Sequence, residues 1–138
     1  MAIPTIPISK IYSLINSNKD NLVVLLLSYE SSNDTIMYLI LNDLYKKLYK
    51  FTSIYFTQID EDSNLNFISK DFYLENDFGI CLFFKGKIVK MDYGTGNNMV
   101  IDFYAEKEDL EKYIMCAYKC GVKGKSNTLM YRQYKEKY

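Results

Sequence analysis

Histidine and tryptophan are absent from this chain of 138 residues, and proline and cysteine are scarce, with two and three copies. Without histidine, acid–base catalysis by imidazole, imidazole ligation of a metal and every histidine-dependent catalytic triad are excluded. The cysteines, Cys81, Cys116 and Cys120, form no CxxC pair, and their odd number favours a reducing compartment over a disulfide scaffold. The sequence therefore predicts no catalytic residue, no cofactor and no metal site.

Long apolar runs are also missing from the chain. No stretch reaches the roughly 18 consecutive apolar residues of a membrane-spanning helix. The N-terminus has no charged segment followed by an apolar one, so no secretory signal is expected. With 49% apolar and 25% charged residues, the composition is that of a globular protein large enough for one core.

Charge is balanced overall but uneven along the chain. Residues 57–78 hold six acidic side chains and one lysine, whereas residues 119–138 hold six basic side chains and one glutamate. The acidic stretch lacks the glycine and the spacing of a calcium loop, and it is interpreted as a solvated face. The basic stretch predicts the surface at which a polyanion or an acidic protein would be met.

The first half of the chain predicts a helix, a strand, a second helix and a second strand. The first helix is expected to be capped by Ser9 and to end near residues 16–18. The six apolar residues Leu22–Leu27 are typical of a central parallel strand. A helix capped by Asn33 or Asp34 should follow, and then a strand over Ser53–Ile59. These elements predict a βαβ unit with parallel strands.

The second half is organised around residues 80–98, ICLFFKGKIVKMDYGTGNN. Ile80–Phe84 predicts a strand buried on both faces, the pair Lys85-Gly86 predicts a hairpin turn, and Lys87–Asp92 predicts the returning strand. The glycines and asparagines after this strand predict a compact loop, which is either a simple turn or a surface presented to a partner. Residues 60–78 support at most a short, irregular helix.

The last predicted helix spans Glu106–Lys119 and stops near Gly121. Its N-cap is weak, because Asp102 lies early for this role. The complete order predicts an α/β domain of thioredoxin topology, with a four-stranded mixed β-sheet flanked by helices and no CxxC. We expect this thioredoxin-like domain to span residues 1–125. Residues 126–138 are expected to form a basic, tyrosine-bearing tail.

Three segments resemble the Dim family, the thioredoxin-like protein of the spliceosomal U5 small nuclear ribonucleoprotein (snRNP). They are FFKGKIVKMDYGTGNN at 83–98, YKCGVKGK at 118–125 and YKEKY at 134–138. The resemblance implies a nuclear, non-enzymatic binding protein of the U4/U6.U5 tri-snRNP, where members contact the large U5 scaffold protein near the pre-mRNA 5′ splice site. Members leave as the spliceosome is activated.

Two departures from the family pattern concern its cysteine positions. Asp34-Thr35-Ile36 stands where the family has a Pro-Thr-Cys-like run, and Asn76-Asp77-Phe78 stands where it has Asp-Pro-Cys. Both cysteine positions are apolar here, and if Ile36 and Phe78 still touch, a hydrophobic contact replaces the family's disulfide-capable pair. The peptide bond at Asp77 is expected to be trans, because a cis bond is rare before a non-proline residue.

The partner-binding candidates are the glycine-asparagine loop and the basic end of the chain. They are Gly94, Thr95, Gly96, Asn97, Asn98, Lys119, Lys123, Lys125, Tyr134 and Tyr138. Fourteen tyrosines could stack on bases, but most lie on predicted core stripes and arginine is nearly absent, so direct RNA binding is left open. The alternatives are a divergent splicing-associated paralogue, a thioredoxin-fold thiol oxidoreductase and an unrelated adaptor.

Overall fold

A computed structural model of the chain describes residues 3–92, 97–124 and 127–128. Three α-helices and seven strands occur within them. In chain order they are α1 (Ile11–Ser17), β1 (Leu22–Ser28), α2 (Ile36–Leu48), β2 (Thr52–Gln58), β3 (Phe78–Phe84), β4 (Lys87–Ile88), β5 (Lys90–Asp92), β6 (Asn97–Asn98), α3 (Lys107–Val122) and β7 (Asn127–Thr128).

The main sheet has four strands in the order β2-β1-β3-β4, and β1 is central. β1 pairs with β2 in parallel and with β3 in antiparallel orientation. The predicted βαβ unit and the mixed four-stranded sheet are therefore confirmed. Outside β2, the N-terminal segment adds a parallel bridge, because the amide of Ile6 donates to Phe56 O and the amide of Phe56 donates to Pro4 O. This segment shields an edge that would otherwise be open to association.

β1 divides the hydrophobic core into two layers. Side chains of alternate residues point to opposite faces of a strand, so Leu22, Val24 and Leu26 pack on the side of α2 and α3. Val23, Leu25 and Leu27 pack on the other side, against α1 and residues 59–74. All seven β1 residues are buried. This double burial explains the uninterrupted apolar run, and each such side chain contributes about 1.5–3 kcal/mol of transfer free energy.

The hairpin between β3 and β4 turns at the predicted residues. Lys85 and Gly86 have φ of 51° and 81°, the pair of positive values that a two-residue hairpin turn of this type requires. Phe83 and Phe84 pair with Ile88 and Lys87.

The prediction of one strand over Lys87–Asp92 is wrong, since β4 and β5 belong to different sheets. The amide of Val89 still donates to Leu82 O, at 2.7 Å. Further along β3, however, Ile80 exchanges both of its backbone hydrogen bonds with Ile101, each at 2.8 Å. Because Ile101 occupies this edge, β5 leaves it and forms the centre of a three-stranded sheet with β6 and β7.

The predicted N-caps are also wrong. Ser9 lies inside a 3-10 turn (Ile8–Lys10) that precedes α1. Asn33 and Asp34 form a similar turn with Ser32, and α2 starts after Thr35. The Thr35 hydroxyl donates back to Ser31 O at 2.9 Å, and no side chain caps α2.

Residues 59–77 contain no helix, which is consistent with the expectation of at most a short, irregular helix there. Side-chain oxygens of Asp60 and Asn64 accept the amides of Asp62 and Asn66, both at 2.9 Å. Such local bonds compete with helix formation.

α3 begins after Glu106 and ends at Val122, one residue beyond Gly121 where the helix was predicted to stop. Asp102 lies too early in the chain to cap it. Gly121 is buried inside its last turn, and the chain turns at Gly124, whose φ is +78°. No peptide bond in the described ranges is cis, so the bond at Asp77 is trans as expected.

Gly121 permits the close approach of α3 to β3. A Cβ atom built at Gly121 would lie 2.5 Å from Phe84 Cγ and 2.8 Å from Phe84 Cβ. Gly121→Ala should therefore lower the free energy of unfolding by about 1–3 kcal/mol, although alanine favours helix formation. Urea denaturation checks this, with Val122→Ala as control because Val122 is exposed on the same helix. A Gly121→Ala protein as stable as the wild type would show that Phe84 moves aside at little cost.

Candidate interaction surface

β5 brings the glycine-asparagine loop and the basic end of the chain together. In the small sheet, Met91 is opposite Asn98 of β6 on one side and Thr128 of β7 on the other. Neighbouring strands lie about 4.8 Å apart, so these two residues are separated by about 10 Å. The side-chain Nδ2 of Asn98 donates to Met91 O at 3.2 Å. Two segments that the sequence proposed separately therefore belong to one surface.

Part of the predicted surface lies outside the described residues. This applies to Gly94, Thr95, Gly96, Lys125, Tyr134 and Tyr138. The strand position of Asn97 opposite Asp92 is defined by the backbone.

Lys119 and Lys123 lie exposed at the C-terminal end of α3. The Lys123 amide donates to Lys119 O at 3.2 Å. Lysines at this end of a helix are stabilised by the partial negative charge of its unpaired carbonyls. Next to the helix end, Lys85 and Lys87 line a cavity of about 230 Å³ whose lining includes Phe84. The basic character of this end thus comes from the hairpin as well as from the helix.

Opposite charges collect at the two ends of the main sheet. Ser28 pairs with Gln58 and Phe78 at one end, so the acidic segment 60–77, which joins these strands, lies there. At the other end, Leu22 pairs with Thr52 and Val23 with Phe83. The lysines of the hairpin and of the end of α3 lie at this second end. They are Lys85, Lys87, Lys119 and Lys123.

Hydroxyl groups occupy the start of α2, where thioredoxins carry their CxxC pair. Ser28 Oγ and Thr35 Oγ1 lie 3.3 Å apart in a buried contact, and Ser28 Oγ accepts the amide of Glu30 at 3.0 Å. Ser31 Oγ donates to Asp34 Oδ2 at 2.9 Å. Thiol exchange needs a low-pKa thiol at a helix N-terminus, and no residue between 28 and 36 is a cysteine.

The cysteines lie elsewhere and form no disulfide, all three being in described positions. Cys81 is fully buried in β3, as predicted, and burial raises the pKa of its thiol. Cys116 and Cys120 are partly buried on α3. A buried neutral thiol is a poor nucleophile, so Cys81 serves the core.

Ile36 and Phe78, the two apolar residues at the positions where the family pattern has cysteine, have different environments. Phe78 is buried, and its ring packs against Tyr104 with centroids 4.9 Å apart. Ile36 is 60% exposed. Phe78 therefore belongs to the core, whereas Ile36 presents an apolar side chain at the surface, as Leu39 does one helical turn later.

A groove that the sequence did not predict runs between residues 69–78 and residues 98–104. Its lining includes Asn98, Tyr73 and Tyr104. The sequence placed most tyrosines in the core, yet these two are 68% and 65% exposed. The one feature of the sequence that could have indicated this groove is the acidic segment, which was interpreted only as a solvated face.

Metal binding and membrane insertion find no structural support. Within residues 3–92, 97–124 and 127–128, histidine, cysteine, aspartate and glutamate do not cluster in threes that could hold a metal ion. Among the helices of these ranges, none has the length and apolar character needed to cross a membrane.

A protein-family model described as DIM1, mitosis protein DIM1, matches residues 6–134. The match spans the glycine-asparagine loop, α3 and most of the basic tail. It confirms the resemblance stated from the sequence. Together with the mixed sheet and its flanking helices, it confirms the thioredoxin-like fold without a cysteine pair.

The buried Cys81 thiol makes a prediction about pH. Because its pKa is raised on folding, the unfolded chain loses this proton first, and folding stability should fall as pH rises above about 9. The free energy of unfolding of the wild type should decline by up to about 1.4 kcal/mol per pH unit more steeply than that of Cys81→Ala. Denaturation between neutral and alkaline pH measures this, with Cys120→Ala as the thiol-loss control. Parallel curves for wild type and Cys81→Ala would contradict the assignment.

Proposed function

The chain belongs to the DIM1 family, and from this membership we propose that it is a non-enzymatic subunit of the U5 snRNP and of the U4/U6.U5 tri-snRNP. As a member it is a splicing-related protein, since the family comprises non-catalytic splicing factors. In the proposed role it acts in the nucleus through protein–protein contacts, with the large U5 scaffold protein among its partners. It leaves the assembly when the spliceosome is activated.

The family match over residues 6–134 is the observation that carries this proposal. Two structural features support it. The start of α2 holds hydroxyl groups in place of a cysteine pair, which argues against the thiol oxidoreductase alternative. The small sheet pairs β5 with both β6 and β7, so β6, from the segment 83–98 that resembles the family, shares one sheet with residues 127–128 of the basic tail.

A divergent paralogue of the same family is the second candidate. It would share the fold and associate with splicing proteins without being a U5 subunit. The exposed side chains Ile36 and Leu39 stand at the site where a thioredoxin would act on thiols, and they favour a binding role in either case.

Affinity purification of the tagged full chain from its own cells tests the proposal. Recovery of U4, U5 and U6 RNAs together with the large U5 scaffold protein is the expected result. Recovery of other splicing proteins without U5 RNA would identify the paralogue role instead. If no splicing protein or small nuclear RNA is recovered and the purified chain reduces insulin disulfides above background, the oxidoreductase hypothesis replaces the splicing hypothesis.

Substitution of both loop glycines should weaken this association. Valine is strained at the positive φ values that glycine-rich turns use, so Gly94→Val with Gly96→Val should lower recovery of the U5 scaffold protein about tenfold or more, equivalent to about 1.4 kcal/mol. Urea denaturation of the same variant should show a smaller loss of folding free energy. Equal losses in recovery and stability would mean that the loop is only structural.

A further inference from the structure

Two adjoining depressions form one groove beside the N-terminal end of β3. They have volumes of about 450 and 250 Å³. Both are lined by Glu75 and Asp102, so they adjoin at these two residues. The first depression extends from there toward Asn98 and the second toward Phe78. Because an extended chain rises about 3.3 Å per residue, successive side chains of one segment can enter both depressions.

Aromatic rings provide the apolar surface of the groove. Tyr73 is 68% exposed in the first depression, and Tyr104 is 65% exposed in the second. Phe78 supports Tyr104 from the core, at a centroid distance of 4.9 Å. Exposed tyrosine rings bind the methylene stems of lysine and arginine and attract their charged ends.

Negative charge surrounds these rings. The charged lining residues are four carboxylates and one lysine: Asp71, Glu75, Asp77, Asp102 and Lys70. In the described part of the chain, the salt bridges join Lys46 and Lys107 to Asp43, so none of these four carboxylates is neutralised by one. Asp102 Oδ2 accepts a hydrogen bond from the side-chain Nδ2 of Asn76 at 2.9 Å. The groove thus attracts cations and repels the phosphates of a nucleic acid.

The two walls of the groove are held in place by the core. Leu74 is buried against β3, since a Cβ atom at Gly79 would lie 2.6 Å from Leu74 Cδ1. The hydroxyl of Tyr29 donates to Leu74 O at 3.1 Å. The opposite wall is anchored by the paired hydrogen bonds between Ile80 and Ile101. A groove formed in advance binds with a smaller loss of conformational entropy.

We propose that this groove binds an extended, lysine- or arginine-bearing segment of a partner protein. The charged groups of the partner's lysine or arginine side chains contact the carboxylates, and their aliphatic stems lie on Tyr73 and Tyr104. This gives both charge complementarity and apolar contact. The position of the groove is independent of the family match, and the proposal rests on the proposed function only for the splicing assembly as the source of the segment. It adds a second surface, at the acidic end, to the loop and tail surface.

Fluorescence anisotropy with a labelled peptide of alternating Lys-Ser and Arg-Ser pairs tests the groove directly on the full chain. The peptide should bind, and its affinity should fall with added salt, while a peptide with glutamate at every basic position should not bind. Glu75→Gln with Asp77→Asn should weaken binding about fivefold to tenfold. Tyr73→Ala should weaken it about threefold or more, because the ring contact is lost.

The matched control removes the same charge from the same segment outside the groove. Glu61→Gln with Asp62→Asn alters two exposed carboxylates and should change affinity less than about twofold. Equal losses in both double variants would show that net charge alone attracts the peptide, and the groove proposal would be wrong. Failure of the basic peptide to bind at low salt would also show that the groove proposal is wrong.

Deletion of residues 129–138 distinguishes two possible occupants of the groove, a segment of a partner protein and the chain's own basic end. Unchanged peptide affinity after the deletion supports binding of a partner. A several-fold gain would mean that the basic end competes for the groove, which would replace the partner proposal. Peptide binding without recovery of small nuclear RNAs would reject the splicing role and keep the groove. Recovery of those RNAs without peptide binding would reject the groove alone.

Discussion

The burial of β1 on both faces is the constraint on which the remaining structure depends. Its seven residues, Leu22–Ser28, have no exposed side, because helices α2 and α3 cover one face and α1 with residues 59–74 covers the other. Both edges of the strand are also occupied, by β2 and β3. The segment between these two neighbours must therefore cross one end of the sheet, and the hairpin after β3 must turn at the other. This arrangement sets where the acidic and basic residues collect.

Features set by neighbouring residues could be predicted from the sequence. Leu22–Leu27 specifies a doubly buried strand by its composition, and Lys85-Gly86 specifies a tight hairpin by its length and its glycine. Features set by distant residues could not. The break at Val89 depends on Ile101 taking the edge of Ile80, a pairing that no local pattern records. The expected cap at Asn33 or Asp34 failed because these residues form a turn of their own.

The candidate surfaces show the same difference between what neighbouring residues specify and what distant residues specify. The loop and the basic end were identified by residue type, but only the strand order β6-β5-β7 shows that they share one small sheet. Tyr73 and Tyr104 resemble core aromatics in a pattern of apolar residues, and the structure exposes both in a groove lined by four carboxylates and one lysine. Exposure depends on what the rest of the chain fails to cover, and a one-dimensional pattern does not contain that information.

The separation of charge along the sheet gives this electrically neutral protein a large permanent dipole moment. A uniform field exerts no net force on such a molecule, because its formal net charge is zero, but it does exert a torque. Near a polyanionic assembly the hairpin end would turn inward and the end that carries residues 60–77 would turn outward. Orientation would then precede contact. Added salt would weaken this orienting effect, because interactions beyond a Debye length of about 8 Å at physiological ionic strength are largely screened.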